Sequence, residues 1–190
     1  MSKTMQSLKN LREIALEYGR VEHPDLASMA RELGCVVHAD TGALAARLTA
    51  VHRRGIASRV LVERRQPGLR VLVRAWPPGQ YMPLLDHAGC WGLELALHGA
   101  LEWQAYRRDA RSGELDAQGR GWLGPGDAHW FERDASRAHR YRNLSRHDIA
   151  YTLHVYGGEL PDRHGGEARM SVPAWLAQAG RAQLAGPLAH

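Results

Sequence analysis

The chain has 190 residues, 44% of them apolar and 24% charged, with 20 glycines and 9 prolines. That suits one ordinary globular domain built from short strands and turns and argues against a helical bundle. The net charge of +5 comes from arginines scattered as pairs (Arg53-Arg54, Arg64-Arg65, Arg107-Arg108), without the basic stripe and interleaved aromatics of a nucleic-acid binder, so no nucleic-acid partner is expected. No apolar run approaches the ~20 residues that span a bilayer, and residues 1–10 lack the apolar core of a secretory signal; no membrane partner and a cytoplasmic location are expected.

In chain order, Leu8, Leu11, Ile14 and Leu16 recur near helical spacing, and Gly19 ends that run. His23-Pro24-Asp25 opens a second helix carrying Leu26, Met29 and Leu33, with Gly34 as its expected stop. A third, short helix is expected over 43–51. From Ser58 the period becomes that of strands. Segments 59–62 and 69–76 flank a Gln66-Pro67-Gly68 turn, and 90–97, 101–106, 128–131, 139–142 and 149–156 follow. Ser112-Gly113 and Gln118-Gly119 punctuate an expected hairpin excursion. Past Pro161 the chain is Gly-rich and charged, with a terminal helix expected over 172–184. The expected organisation is a helical cap (1–55), a β-sandwich or barrel (56–160) and a C-terminal extension (161–190), one domain overall. Cys35 and Cys90 make neither a disulfide framework nor a zinc motif and are read as reduced structural thiols.

Residues i and i+2 of a strand share a face. Leu85 and His87 are therefore expected to point into the barrel and Asp86 out, with His139 on a partner strand beyond the Gly124-Pro125-Gly126-Asp127 turn. Imidazoles suit Fe, Ni, Cu or Zn, so residue type alone names no metal. The run from Trp76-Pro77-Pro78-Gly79 through Leu85-Asp86-His87 to Trp91-Gly92, followed by His139-Arg140-Tyr141-Arg142-Asn143, resembles the metal hairpin of a cupin with one histidine replaced by Leu85.

With the closing block Thr152-Leu153-His154-Val155-Tyr156-Gly157, residues 58–158 resemble the thiol dioxygenases, the family of cysteine dioxygenase and 3-mercaptopropionate dioxygenase. The resemblance implies a mainly β, single-domain cupin (a double-stranded β-helix, or jelly-roll barrel) with an N-terminal helical cap. It implies an oxygenase that oxidises the thiol of L-cysteine or a close analogue with O2, giving a sulfinate or a diverted product such as a sulfonamide. Metal would sit on His87 and His139, with Fe(II) the leading expectation and Ni(II) the alternative. His154 and Tyr156 would orient substrate and oxygen as catalytic residues. Arg59 stands where cysteine-type members hold the substrate carboxylate, a task that suits the two-pronged guanidinium. A small thiol and O2 are the expected partners, and the chain is expected to be a monomer or homodimer.

Two departures qualify the resemblance. Gly92 stands where animal members carry the cysteine that crosslinks to tyrosine, so no thioether is expected. Leu85 removes one of three protein ligands, and three outcomes stay open. The site binds no metal, another side chain replaces the ligand, or the substrate completes a two-histidine site. Glu94 is the first candidate replacement, being a carboxylate among Leu93, Leu95 and Leu97 with the inward parity of Gly92; an arginine or solvent partner is its plainer expected fate. His98 and His129 come after it. Two further functions compete: a non-catalytic cupin that binds a small thiol or anion, and an O2-independent metal hydrolase or isomerase on the same scaffold.

Overall fold

In the computed structural model, which describes residues 3–52, 58–81, 84–86, 90–134 and 136–158, three helices precede nine strands. The helices are α1 (Lys3–Tyr18), α2 (Leu26–Ala39) and α3 (Thr41–His52). The strands are β1 (Ser58–Arg64), β2 (Leu69–Trp76), β3 (Leu85–Asp86), β4 (Cys90–His98), β5 (Leu101–Arg108), β6 (Leu115–Leu123), β7 (Ala128–Phe131), β8 (Arg137–Asn143) and β9 (Ala150–Gly158). They form two antiparallel sheets, ordered β1-β2-β9-β4-β7 and β3-β8-β5-β6. Leaving aside the edge strand β1, each sheet is a four-stranded half of a jelly roll. The chain is therefore mainly β, with the double-stranded β-helix and helical cap that its motifs led us to expect. His87, the C-terminal extension and its expected helix over 172–184 lie outside the described residues.

Alternation in the larger sheet separates an apolar face from a polar one. Val71, Leu93, Leu95 and Val155 face the helices and share one core with Leu11, Met29, Leu33 and Leu44. The opposite parity places Glu94, Thr152, His154 and Tyr156 inside the jelly roll. β4 and β9 are consequently buried along nearly their whole length, as expected for strands covered on both sides.

Two expectations are corrected by packing. α2 begins where expected, with the Asp25 carboxylate accepting the Ser28 N–H at 2.9 Å, but it runs through Gly34 to Ala39. A Cβ at position 34 would stand 2.7 Å from the Gly126 carbonyl oxygen, so this glycine lets the helix approach the β6–β7 turn. Gln118 and Gly119 likewise lie within β6 and do not end a hairpin. Farther along that strand, Gly121 leaves room for Trp103 of β5, whose Nε1 would be 2.6 Å from an added Cβ. Among the described residues, no helix is long and apolar enough to cross a membrane.

Candidate metal centre

Three strands carry a carboxylate and two imidazoles to one point inside the jelly roll. Glu94 of β4 pairs in register with His154 of β9 on one side and His129 of β7 on the other. Directly opposed residues share a face, so all three point inward. β8 of the smaller sheet supplies His139 from across the interior. One ligand atom each of Glu94, His129 and His139 can be chosen so that all lie within 4.8 Å of one another.

Glu94 is 1% exposed. Its Oε2 is 3.1 Å from His139 Nε2, and its Oε1 is 3.1 Å from His154 Nδ1 and accepts the Tyr156 hydroxyl. An arginine or solvent was the plainer fate foreseen for it; its carboxylate instead meets the imidazoles of His139 and His154 and the phenol of Tyr156. Burial acts to raise the Glu94 pKa, but the charges and hydrogen bonds of His139 and His154 outweigh it and hold the carboxyl well below the usual range.

The surrounding groups fix the imidazoles. Trp76 Nε1–H donates to Thr152 Oγ1 at 2.7 Å, and Thr152 Oγ1 lies 2.6 Å from His154 Nε2. Indole can only donate, so the threonine proton is available to Nε2, leaving Nδ1–H to face Glu94 and the Tyr156 oxygen at 2.7 Å. His129 is held from two sides: Tyr141 Oη lies 3.0 Å from its Nδ1, and Trp103 stacks on its ring with centroids 4.6 Å apart. That arrangement leaves His129 Nε2 available to a ligand. Burial, reinforced by the charge of His139, lowers the His129 pKa to about 4, and burial also lowers that of His154. Both rings are neutral near pH 7, as metal ligation and outer support require. Burial first, and then the negative charge of Glu94, raises Tyr141 and Tyr156 well above the ordinary phenol value.

The donor set fits a divalent cation. A carboxylate that is 1% exposed and lies 3.1 Å from imidazole nitrogens is an arrangement that a bound cation would stabilise in a low-dielectric interior. Two ligand atoms each about 2.1 Å from one ion, and at right angles, stand about 3.0 Å apart, close to the 3.1 Å between Glu94 Oε2 and His139 Nε2. Two imidazoles with one carboxylate form a ligand set that serves oxygen-using ferrous iron.

The residues singled out in the sequence are distributed unevenly. His139, His154 and Tyr156 meet at Glu94. Leu85 is the register partner of His139, so the replaced ligand position lies beside a histidine of the cluster. Arg59 is exposed on the edge strand and pairs with Val73, a residue of the helix-facing core; it does not join the cluster. His98, at the end of β4, is not among the clustered ligands, whereas His129 is. The inward register of His129 depends on its pairing with Glu94, a long-range fact that the short segment Ala128–Phe131 does not reveal.

Gly92 pairs with Tyr156 on one side and Phe131 on the other. A Cβ at position 92 would fall 2.2 Å from the Phe131 ring, so the aromatic ring fills the space a side chain would take. Gly92→Ala should therefore destabilise the protein by about 1–3 kcal/mol through overpacking. Denaturant unfolding measures this, and unchanged stability would show that the Phe131 ring yields at no cost.

A cavity of about 180 Å³ borders this cluster, with His129, Phe131 and His139 in its wall. It falls below the ~300–1,000 Å³ of common ligand pockets. Only a small ligand fits.

No family model matches the chain, and no curated protein matches it. Solved structures do match. The Schizosaccharomyces pombe Cnp3 cupin domain is 11% identical over 54% of this chain and 64% of that one, with a TM-score of 0.43. KdgF from Halomonas sp. is 16% identical over 56% and 82% of the two chains, with a TM-score of 0.41. The DMSP lyase DddQ from Ruegeria pomeroyi DSS-3 is 22% identical over 56% and 48%, with a TM-score of 0.42. Similarity at this level concerns fold and carries no activity with it.

Proposed function

We propose that this chain is a metal-dependent cupin oxygenase that oxidises the thiol of a small substrate such as L-cysteine, with a divalent ion held by Glu94, His129 and His139. The observation that carries the reading is the convergence of one buried carboxylate and two imidazoles beside a cavity sized for a small molecule. The Thr152-His154-Tyr156 segment, which resembles that of thiol dioxygenases, supports the choice of thiol. His87 is an additional donor on the same resemblance, and Leu85 is the reason a carboxylate enters the set. Fe(II) is the first expectation and Ni(II) the second; a soft thiolate suits either.

A divalent ion here would supply the Lewis acidity and redox capacity that bring thiolate and O2 together. The protein's own groups have separable tasks. Tyr156 and His154 hold Oε1 of Glu94 by hydrogen bonds, so that Oε2 faces His139. Trp76 and Thr152 set the His154 tautomer from behind. Trp103 and Tyr141 orient His129. Phe131 and the narrow cavity limit the water that reaches the reacting thiol.

The test is oxygen uptake with L-cysteine by protein reconstituted with Fe(II), with Ni(II) or with no metal. Uptake that requires one of the metals, with a product oxidised at sulfur, is the expected result. No uptake with either metal, across cysteine and its homologues, would overturn the oxygenase reading and leave a binding protein.

A further inference from the structure

The outer face of the smaller sheet, opposite in parity to His139 and Trp103, gathers residues that lie far apart in the chain. Arg142, Glu102 and Trp122 form one row across β8, β5 and β6, and the bridge between Tyr81 and Arg142 extends it past β8. The next row of the same parity holds Arg140, Gln104 and Arg120. By register the face carries Arg108, Arg120, Arg140 and Arg142 against Glu102 and, at its β3 margin, Asp86, the partner of Ala138. Asp116, opposite Arg107, has interior parity, and Asp109 and Glu114 belong with Arg111 to the β5–β6 turn. Four arginines thus meet two carboxylates, and the balance is basic.

Aromatic rings are set among these charges. Arg142 and Arg140 stand over the Tyr81 ring, 4.8 and 5.7 Å from its centroid. Arg140 also lies 5.5 Å from the Tyr106 centroid, and its Nε donates to Gln104 Oε1 at 2.8 Å. A guanidinium has five N–H donors, so this bond leaves others for a ligand. Tyr81 is 43% exposed and Trp122 72% exposed. They end the same row, three strand spacings or about 14 Å apart.

We propose that this face binds single-stranded nucleic acid, with bases stacked on Trp122 and Tyr81 and phosphates held by Arg120, Arg140 and Arg142. Charge complementarity calls for a polyanion, and guanidinium forks match phosphate oxygens. The exposed indole then separates the candidates: every base has a π-face to lay on it, whereas an acidic polypeptide has none. A flat sheet face suits splayed bases, while a duplex keeps its bases stacked inside and offers such a face mainly phosphates. The arginines read as scattered because residues 120, 140 and 142 come together only through the register of three strands. The proposal replaces the expectation drawn from that scatter, and it is independent of the metal centre, which lies on the other side of the sheet.

Fluorescence anisotropy tests it, with labelled oligo(dT) and oligo(U) of about fifteen nucleotides titrated with the full chain between about 50 and 200 mM salt. Both oligonucleotides should bind, with a log–log salt slope of about −2 for three phosphate contacts. Arg120→Gln should make that slope shallower by about 0.7. Trp122→Ala should weaken binding at least fivefold with the slope unchanged, and Trp122→Phe should restore most of the loss. Arg107→Gln, on the interior side, should change neither affinity nor slope. Arg120 and Trp122 are both exposed, so these variants should fold, and far-ultraviolet circular dichroism verifies it. Absence of binding by either oligonucleotide at the lowest salt would overturn the proposal. Equally tight binding of poly-glutamate, indifferent to Trp122→Ala, would overturn it in favour of an acidic polypeptide. A loss in Arg107→Gln as large as in Arg120→Gln would also overturn it, since net charge alone would then draw the oligonucleotide.

Discussion

Glu94→Gln should lower the affinity for a divalent ion at least a hundredfold while the fold persists. Glutamine has nearly the same shape, so the jelly roll can close around it. It lacks the charge that a buried ion needs, and its NH2 group replaces one of the two oxygens that accept from His154 and Tyr156 or face His139. Loss of an outer hydrogen-bond partner of a metal ligand typically costs ten- to a hundredfold in affinity; loss of a charged direct ligand should exceed that. The misplaced donor adds a stability cost of about 1–3 kcal/mol, small enough to leave a folded protein for measurement. Metal content after dialysis and far-ultraviolet circular dichroism read the two parts separately. Stoichiometric metal in a folded Glu94→Gln protein would show that the ion is held without this carboxylate.

The second large effect concerns the cap. Leu33→Ala should destabilise the whole molecule by about 3 kcal/mol and lower its melting temperature by roughly 6–12 °C, in one transition. Leu33 is 0% exposed and lies in the core shared by the helices with Val71, Leu93, Leu95 and Val155 of the larger sheet. The void left by three missing side-chain carbons at that position is felt by both layers. Differential scanning calorimetry decides the matter: two separate transitions, with only the lower one moved by Leu33→Ala, would mean that the cap unfolds independently of the roll.

The strands were readable because β2, β4 and β9 alternate and because turns bound them. The cap was readable because Leu8, Leu11, Met29 and Leu33 recur at helical spacing. The errors arose at glycines. Gly34 and the Gln118-Gly119 pair read as stops, yet Gly34 lies inside a helix where backbone must approach backbone, and Gly119 lies inside a strand beside the glycine that admits Trp103. Local pattern cannot tell a chain-reversing glycine from one that makes room for a distant residue. The site divides in the same way. Parity put Glu94, His154 and Tyr156 on the inner face from sequence alone. That Glu94 meets His139 of the other sheet, and that His129 joins them, depends on strand order and register between segments 45 and 35 residues away.

The fit of the Phe131 ring over Gly92 makes these two positions a single unit of volume divided between two side chains. A substitution at one changes which substitutions the other can accept. A cysteine at position 92 should be tolerated far better with a small residue at 131 than with phenylalanine, and the energetic coupling between the two changes should be favourable, as expected for residues in direct contact. Related chains with a side chain at the first position should accordingly be depleted of large aromatics at the second. A side chain at position 92 and an aromatic ring at position 131 are then alternative ways of filling one space in the interior.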